Sequence, residues 1–132
     1  MITGLNHITI AVSDLDTSLA FYTELLGMKG LVKWDKGAYL SAGELWFCLS
    51  LDDVAPSDDY THIAFTVTEA NFEQLKILLT QHQVPSWKEN KSEGESLYIL
   101  DPDGHKLELH LGSLASRLAS LKTQPYQGLV WL

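Results

Sequence analysis

"HITIAVSDLDTSLAFYTELLG" (residues 7–27) and "HIAFTVTEANFEQLKILLTQH" (residues 62–82) are two copies of one pattern. Each opens with a histidine on an alternating, β-rich run. Each then meets a stretch suited to capping a helix, Ser13-Asp14 or Thr68-Glu69, and enters an amphipathic segment. Leu19, Phe21, Tyr22, Leu25 and Leu26 recur at roughly helical spacing in the first copy, and Phe72, Leu75, Leu78 and Leu79 do so in the second. Breakers follow, Gly27 in one and Val84-Pro85 in the other, and then further strand-like runs: 38–40 and 45–49, 97–100 and 106–111. Turn chemistry divides each pair of runs, Ala42-Gly43 and Asp101-Pro102-Asp103-Gly104. The spacing predicts a βαβββ unit written twice, the copies about 55 residues apart.

The expected fold class is therefore α+β, with tandem βαβββ modules in one domain spanning 1–132. The first module covers about 1–50 and the second about 61–115. The acidic, proline-containing stretch "LDDVAPSDDY" (51–60) reads as the linker, and 116–132 as a tail with a short helical pattern through Leu121. The apolar end of that tail, 129–132, is expected to pack, for example over a subunit interface.

Composition narrows the function. Hydrophobic residues make up 45% and charged residues 20%, which suits an ordinary globular domain. A net charge of −8 argues against a nucleic-acid partner, which calls for a basic patch. It leaves room for an anionic small molecule held by a local cluster of cations. No apolar run approaches membrane-spanning length, and the N-terminus lacks a basic region followed by a long apolar one, so no membrane partner and a cytoplasmic location are expected. Cys48 is the only cysteine, so no intrachain disulfide forms. In the run Leu45-Trp46-Phe47-Cys48-Leu49 it reads as a small buried hydrophobe.

His7 and His62 start equivalent strands, so pairing of the modules is expected to bring the two imidazoles near a common axis. Glu108 lies on the last strand of the second copy, with Leu107 and Leu109 on the opposite face. Two imidazoles and a carboxylate suit a first-row divalent ion. The matching strand of the first copy, 45–49, offers no carboxylate, which leaves the open position a catalytic metal needs. Alone, a strand histidine is more often a hydrogen-bonded core residue; it is the repeat that raises His7 and His62 above that. His82 suits a helix C-terminus. His105 and His110 are expected to be bystanders, His110 at most a supporting neighbour.

Asn90, Ser92, Glu93, Gly94 and Ser96 crowd oxygen atoms into seven residues, a composition found in solvated loops and in loops that wrap a hard cation. Lys88 and Arg117 are the cations able to grip a phosphate-like group, and surface charge is their plainer reading.

The motifs "LNHITIAVSDL", "WDKGAYLSAGELWFCLS", "DYTHIAF", "WKENKSEGES" and "LDPDGHKLELH", on the repeated βαβββ plan, resemble the vicinal oxygen chelate (glyoxalase/bleomycin-resistance) superfamily. Within it they are similar to the glutathione-dependent fosfomycin resistance proteins, along nearly the whole chain. The resemblance implies a Mn²⁺-dependent glutathione S-transferase that opens the epoxide of fosfomycin. It implies a domain-swapped homodimer with shared metal sites, His7 coming from one subunit and His62 and Glu108 from the other. By the same resemblance Thr9 lies beside the oxirane, and Lys88, Ser92, Tyr98 and Arg117 hold the phosphonate. Asn90, Ser92, Glu93, Gly94 and Ser96 bind K⁺, Tyr39 attends the glutathione thiol, and Trp34, Trp46 and Tyr60 wall the pocket. Ile63, Lys91 and the short 51–60 linker depart from the pattern of many relatives.

Three other readings stay open. A sister enzyme would add water or another thiol to the same epoxide; its hydrolytic form carries a further carboxylate near the position of Gly37. An Fe(II) oxygenase shares the ligand set. A metal-free drug-binding module of the same fold would need no His7, His62 and Glu108 together.

Overall fold

The computed structural model describes residues 1–91 and 94–132. The first module runs β1 (His7–Val12), α1 (Leu15–Ala20), a π-helical turn (Phe21–Leu25), β2 (Lys29–Trp34), β3 (Gly37–Ala42) and β4 (Leu45–Leu51). The second runs β5 (Ile63–Thr66), α2 (Glu69–Gln81), β6 (Ser86–Lys88), β7 (Glu95–Leu100) and β8 (Lys106–Leu111), followed by α3 (Leu114–Thr123). Each module folds into a four-stranded sheet of the same topology, β1-β4-β3-β2 and β5-β8-β7-β6. In each, the first strand runs parallel to the last and lies at the sheet edge. The repeat read from the sequence is thus a repeat of topology.

Two strands lacked a legible signal. β2 is exposed along its whole length, so no alternation marks it, and β6 is only three residues long. The first helix is also shorter than its spacing predicts. After Ala20 the backbone widens, with the Leu26 amide donating to the Phe21 carbonyl and the Met28 amide to that of Tyr22. Asp14 caps α1 by accepting from the Thr17 amide (2.9 Å), and that bond holds its carboxyl below the usual range. Thr68 takes the capping position of α2 without a side-chain bond, and α3 carries a reciprocal Ser113–Ser116 capping box, so it straddles the expected start of the tail.

One apolar core joins the modules. Ile10, Val12, Leu40, Phe47 and Leu49 from the first sheet meet Ile99, Leu107 and Leu109 from the second, with Tyr22 of the π-turn and Leu79 of α2. Phe47 touches Tyr22 and Phe65 through ring contacts at 5.0 and 5.7 Å. Full burial of such side chains stabilises by about 1.5–3 kcal/mol each. By strand alternation, every residue next to a core position faces away from the core.

The Asp101–His105 turn of the second module is what locks the first in place. Asp101, buried, accepts from the amides of Asp103 and His105 through one oxygen (2.9 Å each) and from the Tyr22 hydroxyl through the other (2.7 Å). Asp103 accepts from the amide of Ser13 (3.2 Å) and from its hydroxyl, while His105 Nε2 meets the Ala11 carbonyl at 2.7 Å. No helix of the described residues is long and apolar enough to cross a membrane.

Burial, and then the Asp101 charge and hydrogen bond, hold the Tyr22 phenol protonated far above its usual range. Its contribution to stability is complete below about pH 10, where unfolded tyrosine also keeps its proton, and declines as the pH rises further. Tyr22→Phe removes a donor from a buried carboxylate and should destabilise by about 1–3 kcal/mol in denaturant titrations. In the parent the Tyr22 phenolate should be seen by ultraviolet absorbance only as the chain unfolds in alkali, and this late step should vanish in the variant.

Candidate active site

The residues singled out by the sequence fall into two groups on the sheet faces turned away from the core. On the first sheet, His7 and Thr9 of β1 stand beside Trp46 and Cys48 of β4 in register, and Tyr39 of β3 is the other neighbour of Cys48. His7, Thr9, Trp34, Tyr39, Trp46 and Cys48 line a hollow of about 250 Å³. Its wall is a run of aromatic contacts: His7 on Trp46 (4.4 Å between centroids), Trp46 against the Tyr39 ring (5.2 Å) and Tyr39 against Trp34 (4.8 Å). Cys48 is buried as expected, but it faces this hollow and does not belong to the core. His7 Nδ1 lies 2.7 Å from the Asn6 side-chain oxygen, an acceptor, so Nδ1 carries the proton and Nε2 the lone pair.

The second group occupies a hollow of about 460 Å³ lined by Tyr60, His62, Lys88, Tyr98, Glu108, His110, Arg117 and Tyr126. Glu108 projects from β8 between register neighbours Ala64 and Tyr98, while Leu107 and Leu109 enter the core as the alternation predicts. Its Oε2 lies 3.0 Å from His62 Nε2, and its Oε1 accepts from the Ser96 hydroxyl at 2.6 Å. Burial alone would raise the Glu108 carboxyl. The Ser96 and His62 hydrogen bonds, with the charge of His110, outweigh it and hold the group below the usual range. His62 Nδ1 lies 2.8 Å from the Tyr60 carbonyl, an acceptor, and Nε2 faces a second acceptor, donating to Glu108 Oε2 across 3.0 Å. A cation that takes the place of the proton between them would meet two electron-pair donors 3.0 Å apart.

The two candidate cations are anchored by tyrosines. Lys88 Nζ donates to the Tyr60 hydroxyl and sits over the rings of Tyr60 (4.7 Å) and Tyr98 (4.9 Å). That bond to Tyr60 raises the ammonium above its usual range. Arg117 Nη1 donates to the Tyr126 hydroxyl at 3.0 Å. Tyr60 thus does more than wall a pocket: its carbonyl orients His62 while its hydroxyl steadies Lys88. Tyr126 carried no signal in the sequence, because its approach to Arg117 depends on where the chain turns after α3.

Two expectations need correction. Within one chain His7 does not meet His62, since the shared core places them in separate hollows. Among the described residues no three His, Cys, Asp or Glu side chains come together as a metal-holding group. His110 is not a bystander: the period of two that aims Glu108 at the hollow aims His110 there as well, with Nδ1 2.6 Å from the Ser96 oxygen. In the oxygen-rich loop, Ser92 and Glu93 lie outside the described residues, and the Ser96 hydroxyl is directed at Glu108. Asn90 does close that loop, donating from Nδ2 to the Gly94 carbonyl at 2.8 Å. His82 caps the end of α2, and His105 belongs to the inter-module turn. A roomier cleft of about 680 Å³, lined by residues such as Leu26, Met28, Phe65 and Leu75, lies elsewhere and lacks any convergence of titratable groups.

This duplicated fold with histidine and carboxylate donors on its outward faces is matched by known proteins. Residues 4–109 match the Glyoxalase/Bleomycin resistance protein/Dioxygenase superfamily, and the chain belongs to it. It is 56% identical to glutathione transferase FosA of Serratia marcescens, over 99% of this chain and 96% of that one. It is 40% identical to metallothiol transferase FosB of Staphylococcus epidermidis, over 92% of this chain and 93% of the other. Among solved structures, the fosfomycin resistance protein FosX of Listeria monocytogenes, complexed with Mn(II) and sulfate, matches with a TM-score of 0.82 at 31% identity. That match covers 91% of this chain and 98% of FosX.

Gly37 bears on which chemistry the first hollow can host. A Cβ there would come within 2.6 Å of the Trp34 ring and 2.7 Å of the Leu49 carbonyl, so no side chain fits without moving Trp34. Gly37→Ala should therefore destabilise by about 1–3 kcal/mol in denaturant titrations and shift the tryptophan emission as Trp34 is displaced.

Proposed function

We propose that this chain is a divalent-metal-dependent glutathione S-transferase that opens the epoxide of fosfomycin, acting as a homodimer with sites shared between subunits. The observation that carries the reading is the His62–Glu108 pair, two fixed donors 3.0 Å apart on a surface flanked by Lys88 and Arg117. His7, His62 and Glu108 would hold Mn²⁺, His7 being supplied by the partner. The sharing is supported by two incomplete hollows in one chain and by β1 and β5, each paired on one side only. Thiol transfer is supported by the likeness to glutathione transferase FosA, and a divalent metal by the FosX structure from Listeria monocytogenes complexed with Mn(II) and sulfate.

A divalent cation here supplies Lewis-acid stabilisation of the negative charge that develops on the epoxide oxygen. The protein's own groups do the rest. A phosphonate brings nearly two negative charges, and an anionic thiolate cannot approach it until cations offset them. Lys88 and Arg117 provide that offset, each steadied by a tyrosine hydroxyl, and Tyr98 adds a hydroxyl on the same sheet face as Glu108. Ser92, expected beside them, lies outside the described residues. Thr9, one strand period from His7, would stand beside the oxirane, while Tyr39, braced edge-on by Trp34 and Trp46, offers its hydroxyl to the glutathione sulfur. Trp46 and its aromatic neighbours keep water from the reacting carbon, and joint binding of both reactants lowers the entropic barrier.

Gly37 favours thiol over water as nucleophile, because the space a further carboxylate would occupy is filled by Trp34. K⁺ would take oxygen ligands from Asn90, Ser92, Glu93, Gly94 and Ser96, adding a fixed charge near the phosphonate. A cytoplasmic setting fits a glutathione-using enzyme whose single cysteine stays reduced.

Incubation with Mn²⁺, glutathione and fosfomycin should yield a product whose mass is the sum of the two reactants. A diol in its place would overturn thiol transfer. Sharing is checked by subunit mixing: His7→Ala and Glu108→Gln should each be inactive alone. Their random mixture should recover about one quarter of parent activity, since half the dimers then hold one intact site. A mixture that stays inactive would place the whole site in one chain.

A further inference from the structure

His110 has no part in the reading above, yet it is tied to the carboxylate at its centre. Ser96 and His110 are register partners across β7 and β8, and Glu108 precedes His110 on the same face. The Ser96 oxygen lies 2.6 Å from Glu108 Oε1 and 2.6 Å from His110 Nδ1. A serine hydroxyl has one proton, and an ionised carboxylate can only accept. The serine proton therefore goes to Glu108, and the serine oxygen must accept a proton from His110. The reverse order would set two lone pairs against each other at 2.6 Å. The direct gap from His110 Nδ1 to Glu108 Oε1, 3.4 Å, is longer than either bond to serine, so the hydroxyl is the link.

The space around His110 is kept clear by backbone. A Cβ on Gly112 would come within 2.7 Å of His110 Nε2, and one on Gly94 within 3.0 Å of its Cε1. Both glycines have positive φ, +139° and +77°, so neither position readily takes a side chain. The ring is thus seated where it can reach Ser96, and it lies partly buried in the same hollow as His62.

We infer that His110 is a positioning residue for the metal site: through the Ser96 hydroxyl it fixes Glu108 Oε1, so that Oε2 is presented beside His62 Nε2. Partners of this kind set ligand orientation and basicity, and their loss costs about 10–100-fold in metal affinity. The geometry stands on its own; the consequence for a metal rests on the reading under Proposed function.

The test compares Mn²⁺ binding by calorimetry in potassium-free buffer, which removes any effect through the oxygen-rich loop, with folding checked by circular dichroism. His110→Leu and Ser96→Ala should each weaken binding about 10–100-fold, and the double variant should be no weaker than the worse single one. His110→Asn, whose amide N–H can take the place of Nδ1–H, should stay near the parent. A folded His110→Leu with parent affinity overturns the inference, as does His110→Asn binding as weakly as His110→Leu. Should the leucine variant fail to fold, Ser96→Ala decides by the same criterion. Glu108→Gln separates the two readings: if it loses Mn²⁺ while His110→Leu does not, the metal site stands and the link falls. A parent that binds no Mn²⁺ overturns the metal reading. Imidazole nitrogen NMR of metal-free protein then decides the link: an Nδ1-protonated His110 supports it, and a neutral Nε2-protonated ring overturns it.

Discussion

The buried Asp101 carboxylate is the constraint on which the arrangement depends. It sits among two amides of its own turn and the Tyr22 hydroxyl, a group from the other module, and all of these contacts are donors. The two amides fix the shape of the turn, and the hydroxyl ties that turn to the first module. With Asp103 on Ser13 and His105 on Ala11, the turn holds the junction of β1 and α1 from outside its own sheet. The inner faces of both sheets are then committed to one core. The chemistry is left to the outer faces, and this division is why each chain carries two partial hollows.

The repeat made the architecture legible. A histidine, an alternating run, a cap and an amphipathic helix, occurring twice, fixed the unit without need of any single strong element. What stayed hidden had little burial to reveal it: β2 faces solvent along its length, and β6 is a short strand after Pro85. The same holds for the site. Glu108 between two leucines could be read as a carboxylate on a sheet face, because period two is a local property. Tyr126 beside Arg117, and Tyr60 beside both His62 and Lys88, are meetings of distant segments, and spacing carries no trace of them. His110 shares the alternation of Glu108, so its face was legible, but its tie through the Ser96 oxygen joins two strands and was not.

The electrostatics of the second hollow reconcile an acidic chain with an anionic ligand. A net charge of −8 repels an anion at long range, but screening confines that repulsion to about 10 Å at moderate salt. Inside that range, Lys88 and Arg117 are held by neutral hydroxyl groups and aromatic faces. Glu108, the acid that does enter the hollow, is occupied by Ser96 and His62. Cation and acid share one surface, and the Glu108 charge is felt at Lys88.

The aromatic contacts also make the protein its own optical instrument. Trp46 stacks on His7 at 4.4 Å and Trp87 lies 5.4 Å from His62, so each candidate metal imidazole touches an indole. A paramagnetic ion bound at either ring would sit close enough to drain the excited state of its neighbour. Emission would therefore report occupancy at both imidazoles of the site proposed above. Replacing Trp46 or Trp87 by phenylalanine would remove one of the two reporters beside an imidazole. The quenching lost from the four-tryptophan total would show which imidazole the ion lies against, without any label.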